Sequence, residues 1–275
     1  LKILCAGLAT VDLLYRVDQI PAADEKAQAS SMEVAAGGPA ANAAITAATL
    51  GAEVTLVTAI GSHPLATLIL QDLQAHDVRV VDAAHASSVP PPVSTVLVAP
   101  SGARTIISRN AGDHVYDPPP MPPADLTLID GHHPALAAAA ASSARRLVID
   151  AGTWRPIFPS LIPYAEVVAC SETFRHPAAP TGPDAMTAAA LGCPHVAVTH
   201  GPAPVTWFSG NTSGAIPVPS VTALDTAGAG DAFHGALAFS LAAGSALPTA
   251  LTDAVRVAAL RVQHPGPRAW LRHLR

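Results

Sequence analysis

Short apolar, β-branched runs alternate along this chain with alanine-rich stretches of helical length. Residues 1–6, 53–60, 126–130, 147–150, 166–169 and 196–199 have the continuous apolar character of strands covered on both faces. Between them, residues 40–50, 65–75, 135–144 and 185–191 read as helices, the first and last stopped by Gly51 and Gly192. Strand and helix in turn predict parallel strands joined by crossover helices, an α/β architecture.

Two stretches break the rhythm. Residues 11–34 alternate apolar and polar positions, and residues 93–98 with 105–108 form a hairpin pattern about Pro100-Ser101-Gly102. These segments, about 10–36 and 90–115, predict a small separate sheet of the kind that covers a ligand as a lid. Edge strands of the main sheet are the alternative. The proline-rich run 118–123 predicts an extended connector leading back to the body.

Composition narrows the classes. The 275 residues suit one α/β domain, 1–275, with a large core. Glu53, Asp72 and Asp253 interrupt the most apolar stretches, so no membrane-spanning run of 18 residues is expected. The chain enters a strand pattern at once, without a basic and apolar leader. Three cysteines, Cys5, Cys170 and Cys193, cannot all pair and show no C-x-x-C spacing. A soluble, cytoplasmic protein is therefore expected. A net charge of −5 disfavours nucleic-acid binding and leaves small-molecule chemistry.

Two motifs could carry that chemistry. In Asp225-Thr226-Ala227-Gly228-Ala229-Gly230-Asp231, small residues lead into an apolar helix. A helix N-terminus has unpartnered N–H groups and a positive dipole end, so this loop can cradle a phosphate. Asp231, in the first turn, can act as a general base or merely complement the dipole; the residues alone leave both open. In Gly37-Gly38-Pro39-Ala40-Ala41-Asn42, a diglycine turn meets a helix with proline near its start. The Asn42 carboxamide there can bind sugar hydroxyls, or the stretch can be a plain tight turn.

The pair of motifs, G-G-x-x-x-N early and D-T-x-G-A-G-D late, resembles the ribokinase-like (PfkB) carbohydrate kinase family. The likeness runs from Gly7 to Gly266. It implies a ribokinase-like three-layer sandwich and ATP-dependent phosphorylation of a hydroxyl, primary by expectation, on a small sugar. It implies Asp12, Gly37, Gly38 and Asn42 as sugar contacts and Asp231 as the base. Gly228, Ala229 and Gly230 would stabilise the charge developed during transfer. Asp225 matches a position tied to a monovalent-cation site, so K+ is expected beside Mg2+. Thr199 and Gly201, around His200, match a nucleotide segment at a strand end, and Arg104 matches an arginine reaching the phosphates from the lid. Arg104 could equally be a solvated hairpin charge. A homodimer through the lid is expected as well.

The chain departs from the family pattern in its nucleotide half. Ser171-Glu172-Thr173-Phe174 stands where many members carry N-x-x-E, leaving Glu172 as the carboxylate nearest to a magnesium role. Pro204 replaces a glycine of the nucleotide segment. The N-terminal run is most similar to ketohexokinase and bacterial sulfofructose kinase, which implies a ketose and a sulfonate contact at Lys26. Ser108 and His132 stand where that subfamily has asparagine and arginine, and Arg109, Asn110, His132 and His133 could instead line a site for a neutral or weakly anionic sugar. The adjacent pair His132-His133 lacks a third ligand, which disfavours zinc. His200 and His234 are expected as packing or polar neighbours. A nicotinamide enzyme would need G-x-G-x-x-G after the first strand, where only Gly7 stands. A non-catalytic sugar sensor and a nucleoside kinase remain the alternatives.

Overall fold

Side chains of a strand alternate between faces, and the first strand already divides the core in two. Ile3 and Cys5 pack into one buried cluster, Leu4 and Ala6 into another. The computed structural model describes residues 1–100, 104–112 and 114–274. Its first half contains β1 (Lys2–Ala6), β2 (Thr10–Val17), β3 (Ala29–Gly37), α1 (Pro39–Thr49), β4 (Glu53–Thr58), α2 (Ala66–Ala75), β5 (Val78–Asp82), β6 (Val93–Val98) and β7 (Arg104–Ser108). Then follow β8 (Leu126–Ile129), α3 (Pro134–Ser143), β9 (Leu147–Ala151), α4 (Phe158–Leu161), β10 (Val167–Ser171), α5 (Asp184–Leu191) and β11 (His195–His200). The chain closes with β12 (Ala203–Ser209), β13 (Thr212–Ile216), α6 (Ala229–Ala242) and α7 (Leu247–Val262).

Nine strands form the main sheet in the order β13-β12-β11-β10-β9-β8-β1-β4-β5. Its strands pair in parallel from β11 to β5, while β12 and β13 add an antiparallel edge. Helices α1, α2, α6 and α7 cover one face, and α3, α4 and α5 the other. This is the expected three-layer α/β sandwich. Among the described residues no helix is long and apolar enough to cross a membrane, and the three cysteines are free.

The two stretches that broke the rhythm form their own four-stranded sheet, β3-β2-β6-β7, separate from the main one. Cross-strand partners share a face, so Asp12, Leu14 and Arg16 stand with Ser94, Val96 and Val98 on one side. Leu14, Val96 and Val98 form a small buried cluster there. Residues 117–124 lead without helix or strand from this sheet into β8. The predicted turn at Pro100-Ser101-Gly102 falls largely outside the described residues.

Three strands escaped the sequence reading. β5 is short and mostly half-exposed, so its apolar pattern is mixed. β12 and β13 are an edge hairpin whose residues are largely exposed or half-exposed, which removes the continuous apolar run that marks a buried strand.

Candidate active site

The carboxyl ends of parallel strands face the crevice in which open α/β sheets bind ligands. Here β1 is followed by Gly7 and β8 by Asp130. The buried Asp130 carboxylate accepts hydrogen bonds from the backbone N–H groups of Leu8 (2.9 Å), Ala40 (3.3 Å) and His132 (2.9 Å). It thereby ties the start of α1 to the centre of the sheet. Burial alone would push its carboxyl up, but the adjacent His132 ring and these donors hold it well below the usual carboxylate range.

The diglycine turn is required by what surrounds it. Gly38 has φ +93°, and a Cβ there would stand 2.4 Å from the Leu8 carbonyl oxygen. A Cβ on Gly37 would overlap the Asp12 carboxylate. The turn therefore presents Asp12, from β2, close against the backbone leading into α1. Burial raises the Asp12 carboxyl, with the charge of Asp231 adding to the rise; hydrogen bonds from Thr10 and Ser94 and the charge of Arg268 oppose it.

The late motif meets this turn from the other side. Gly228 caps α6 in the left-handed conformation (φ +69°), and no side chain caps that helix end. The Ala229 N–H points to the Thr226 carbonyl at 3.3 Å. Asp231, in the first turn, accepts a hydrogen bond on Oδ2 from Asn42 Nδ2 at 2.8 Å, so its second oxygen is left for another partner. The Asn42 side-chain oxygen Oδ1 in turn accepts from Arg268 Nη1 at 3.1 Å. Arg268 is fixed by the Asp72 carboxylate (2.9 Å) and by the Ala36 carbonyl, while Asp72 also accepts from the Ala36 N–H at 2.8 Å. Burial would raise the Asp72 carboxyl, yet hydrogen bonding from His76 and the charge of Arg268 hold it well below its ordinary value. A chain of contacts Asp72–Arg268–Asn42–Asp231 thus fixes which end of the Asn42 amide faces Asp231. A cavity of about 50 Å³ between these elements is lined by Asp12, Asn42, Gly228, Arg261, Arg268 and Trp270, among others.

Asp225 lies at the base of the same loop, 4 % exposed. Its Oδ1 accepts the Ala227 N–H and its Oδ2 the Gly266 N–H, each at 3.0 Å. Arg261 Nη2 stands 3.5 Å and Arg16 Nη2 3.8 Å from Oδ2.

The residues expected on the nucleotide side are more open. Thr199 ends β11 with its hydroxyl 3.4 Å from the Cys170 carbonyl, and Gly201 is exposed in the following turn. His200 and Thr206 both reach Asp184, the ring at 2.8 Å. The Ser171 hydroxyl donates to the Gly152 carbonyl at 2.6 Å, and Glu172 is exposed beside it. Arg104 is exposed at the start of β7, on the cross-strand row of Arg16 and Val98, four positions from the Asp12 row. At strand spacing that is about 13 Å along the sheet. Lys26 is exposed in the connection from β2 to β3.

The structure therefore brings together Asp12, Gly37, Gly38, Asn42, Gly228, Ala229, Gly230 and Asp231. It leaves Lys26 and Arg104 on the outer parts of the small sheet and Glu172 at an exposed turn. His132 sits between Asp130 and Arg155, and Arg109 and Asn110 line a second cavity with Pro90, Pro91, Pro92 and Tyr116. The sequence reading missed Asp130, Arg268, Asp72 and Arg261. Arg268 and Asp72 are separated by 196 positions, and no local pattern links them.

A mostly parallel sheet, a glycine-built helix N-terminus and a hydrogen-bonded carboxylate beside it are the parts that a phosphotransferase requires. Comparison with known proteins agrees: residues 1–273 match the pfkB family carbohydrate kinase description, and the chain belongs to that family. It is 27 % identical over 269 residues to a ribokinase of Bacillus subtilis, covering 93 % of this chain and 91 % of that protein. It is 27 % identical over 257 residues to an ATP-dependent ribose-1-phosphate kinase of Halopiger xanaduensis, covering 84 % and 82 %. In three dimensions it resembles the ribokinase of Arabidopsis thaliana complexed with ribose and ATP, with a TM-score of 0.78 at 22 % identity over 99 % of this chain and 98 % of that one.

Proposed function

We propose that this enzyme transfers the γ-phosphate of ATP to the primary hydroxyl of a small neutral sugar of the ribose type. The observation that carries the reading is Asp231, held by Asn42 at 2.8 Å beside the uncapped N-terminus of α6. Asp12 and Asn42 orient the sugar, and the free oxygen of Asp231 takes the hydroxyl proton. The sugar oxygen attacks the γ-phosphorus in line, a new P–O bond forms, the bond to the ADP oxygen breaks, and N–H groups at Gly228 and Gly230 meet the developing charge. Magnesium, when bound, neutralises phosphate charge; it commonly takes one or two carboxylates plus phosphate oxygens, and Glu172 is the carboxylate we assign to it. Thr199 and Gly201 fit the nucleotide side, at the carboxyl end of β11.

Neutrality of the sugar follows from how the cations are spent. The two arginines lining the cavity, Arg261 and Arg268, are bound to Asp225 and Asp72, and Lys26 lies out in a loop. A sulfonate or phosphate buried there would lack its own cation. This favours a ribose-like substrate, in keeping with the ribokinase of Bacillus subtilis rather than the ribose-1-phosphate kinase of Halopiger xanaduensis, over the sulfofructose suggested by the N-terminal run; a neutral ketose stays within the same chemistry.

We further propose that the small sheet closes over the sugar and that its other face joins two copies. Tyr15, Met32, Val34, Leu97 and Ile107 share that face by register, and Met32, Val34 and Ile107 are exposed. The three unpaired thiols suit a cytoplasmic setting.

A coupled ATP-consumption assay with magnesium over ribose, deoxyribose, fructose, sulfofructose and nucleosides tests the substrate. Turnover of ribose or a close neutral analogue, lost in Asp231→Asn, is expected. Turnover of sulfofructose alone would replace the substrate assignment. Silence across the panel, with sugar but not ATP raising the melting temperature, would favour the sensor reading.

A further inference from the structure

The family resemblance ties a monovalent cation to the aspartate at position 225, and the residues around it bear on whether such an ion fits this chain. An alkali ion is held by oxygens, chiefly carbonyls and carboxylates. Three oxygens converge here: the Asp225 carbonyl, the Asp225 carboxylate and the His264 carbonyl. All three already face one guanidinium. Arg261 Nη1 donates to the Asp225 carbonyl at 3.3 Å and to the His264 carbonyl at 2.9 Å, and Nη2 stands 3.5 Å from Asp225 Oδ2. Arg261 is 3 % exposed, and the partly exposed Arg16 adds a second positive charge 3.8 Å from the same carboxylate oxygen.

We infer that Arg261 occupies the place of the monovalent cation and supplies its charge covalently, so that this enzyme neither binds nor requires K+ at Asp225. The inference rests on reading residues 225–231 as the phosphate-transfer loop. An alkali ion and the guanidinium would compete for the same donors, and adding a second buried cation in contact with the first is opposed by repulsion and desolvation. The arginine also does the ion's positioning work. It is carried by the last turn of α7 and joins the turn that follows, through His264, to the loop that leads into α6. A Cβ built on Gly228 would lie 4.0 Å from Arg261 Nε, so the charge stands directly behind the N-terminus of α6. Arg261 is thus a positioning residue for the phosphate cradle. It carries its charge at every salt composition, because a guanidinium does not titrate in the working range.

Thermal unfolding of the full chain without substrate tests this independently of turnover. It is measured in KCl and in N-methylglucamine chloride at equal ionic strength. Wild type is expected to melt within about 1 °C in the two salts, and its turnover, once a substrate is known, to differ by less than about twofold. Arg261→Ala is expected to melt lower than wild type and to regain a saturable, K+-specific rise in melting temperature, as a ligand bound only by the folded state gives. A variant that folds in KCl alone is the extreme form of that result. If Arg261→Ala folds in neither salt, Arg261→Gln, which keeps part of the stem and adds an amide oxygen, takes its place in the same comparison. A saturable K+-specific stabilisation of wild type would overturn the inference. So would K+ indifference in the neutral variants, which would make Arg261 an ordinary buried ion pair. Absence of turnover on every sugar would count against the kinase reading while leaving the thermal comparison intact.

Discussion

The proposed sugar side and the proposed nucleotide side of the crevice are built differently. On the sugar side the partners of the polar groups come from distant parts of the chain: Asp72, Arg268, Asn42 and Asp231 form one hydrogen-bonded series. On the nucleotide side Glu172 and Gly201 are exposed, and the Ser171 hydroxyl is taken up by the Gly152 carbonyl just past the neighbouring strand β9. The difference teaches where precision is needed. A hydroxyl must meet its base within a hydrogen-bond length, whereas a triphosphate can be met by backbone N–H groups and a solvated metal over a wider area.

The largest break in the comparison is expected at Asp231. Asp231→Asn keeps the hydrogen bond to Asn42 within reach yet removes the proton acceptor, and kcat should fall about a thousandfold with sugar affinity little changed. Steady-state kinetics with a sugar-induced melting shift separates the two effects. Next comes Arg268→Ala. It leaves Asp72 half-buried without its cation and frees the Asn42 amide to turn, so unfolding stability should drop by roughly 2–3 kcal/mol. A double-mutant cycle with Asn42→Ala should show the activity losses to be non-additive.

Asp12→Asn sharpens the comparison through pH. Burial raises the folded carboxyl above its ordinary 3.8, so folding favours the protonated form. Its contribution to stability is therefore undiminished below 3.8, is lost as pH rises from 3.8 through the folded value, and stays lost at neutrality. The asparagine variant should melt higher than wild type at neutral pH and lose that advantage in acid, while its KM for sugar rises about tenfold or more. The smallest effect is expected on the open side. Glu172→Ala should change kcat by less than about threefold at saturating magnesium and raise the magnesium needed for half-maximal rate.

The unequal construction of the two sides explains what could be read from the chain. The Gly37-Gly38 turn with Asn42 and the loop from Asp225 to Asp231 are local, because steric demand at a glycine and the polarity of a helix start act over a few residues. The buried parallel strands were legible for a similar reason, as both of their faces must be apolar. The edge strands β5, β12 and β13 were not, since only part of each is covered. Arg261 reads locally as a basic residue in the last turn of an amphipathic helix, a common complement to the dipole. Its burial against Asp225 appears only when α7 is packed beside the loop before α6.

By itself the sequence determined the alternation of strand and helix, the diglycine turn and the helix start carrying Asp231, and for the small sheet it left edge strands of the main sheet as an alternative. These follow from side-chain periodicity and backbone sterics, which neighbours in the chain decide. The tertiary structure alone decided that Arg268 braces Asn42 from Asp72 and that Asp130 ties β1 to α1. It also decided that Arg261, not only solvent, meets Asp225. Pairings between charges more than 30 positions apart depend on which helix packs against which strand edge, and short-range pattern carries no record of that.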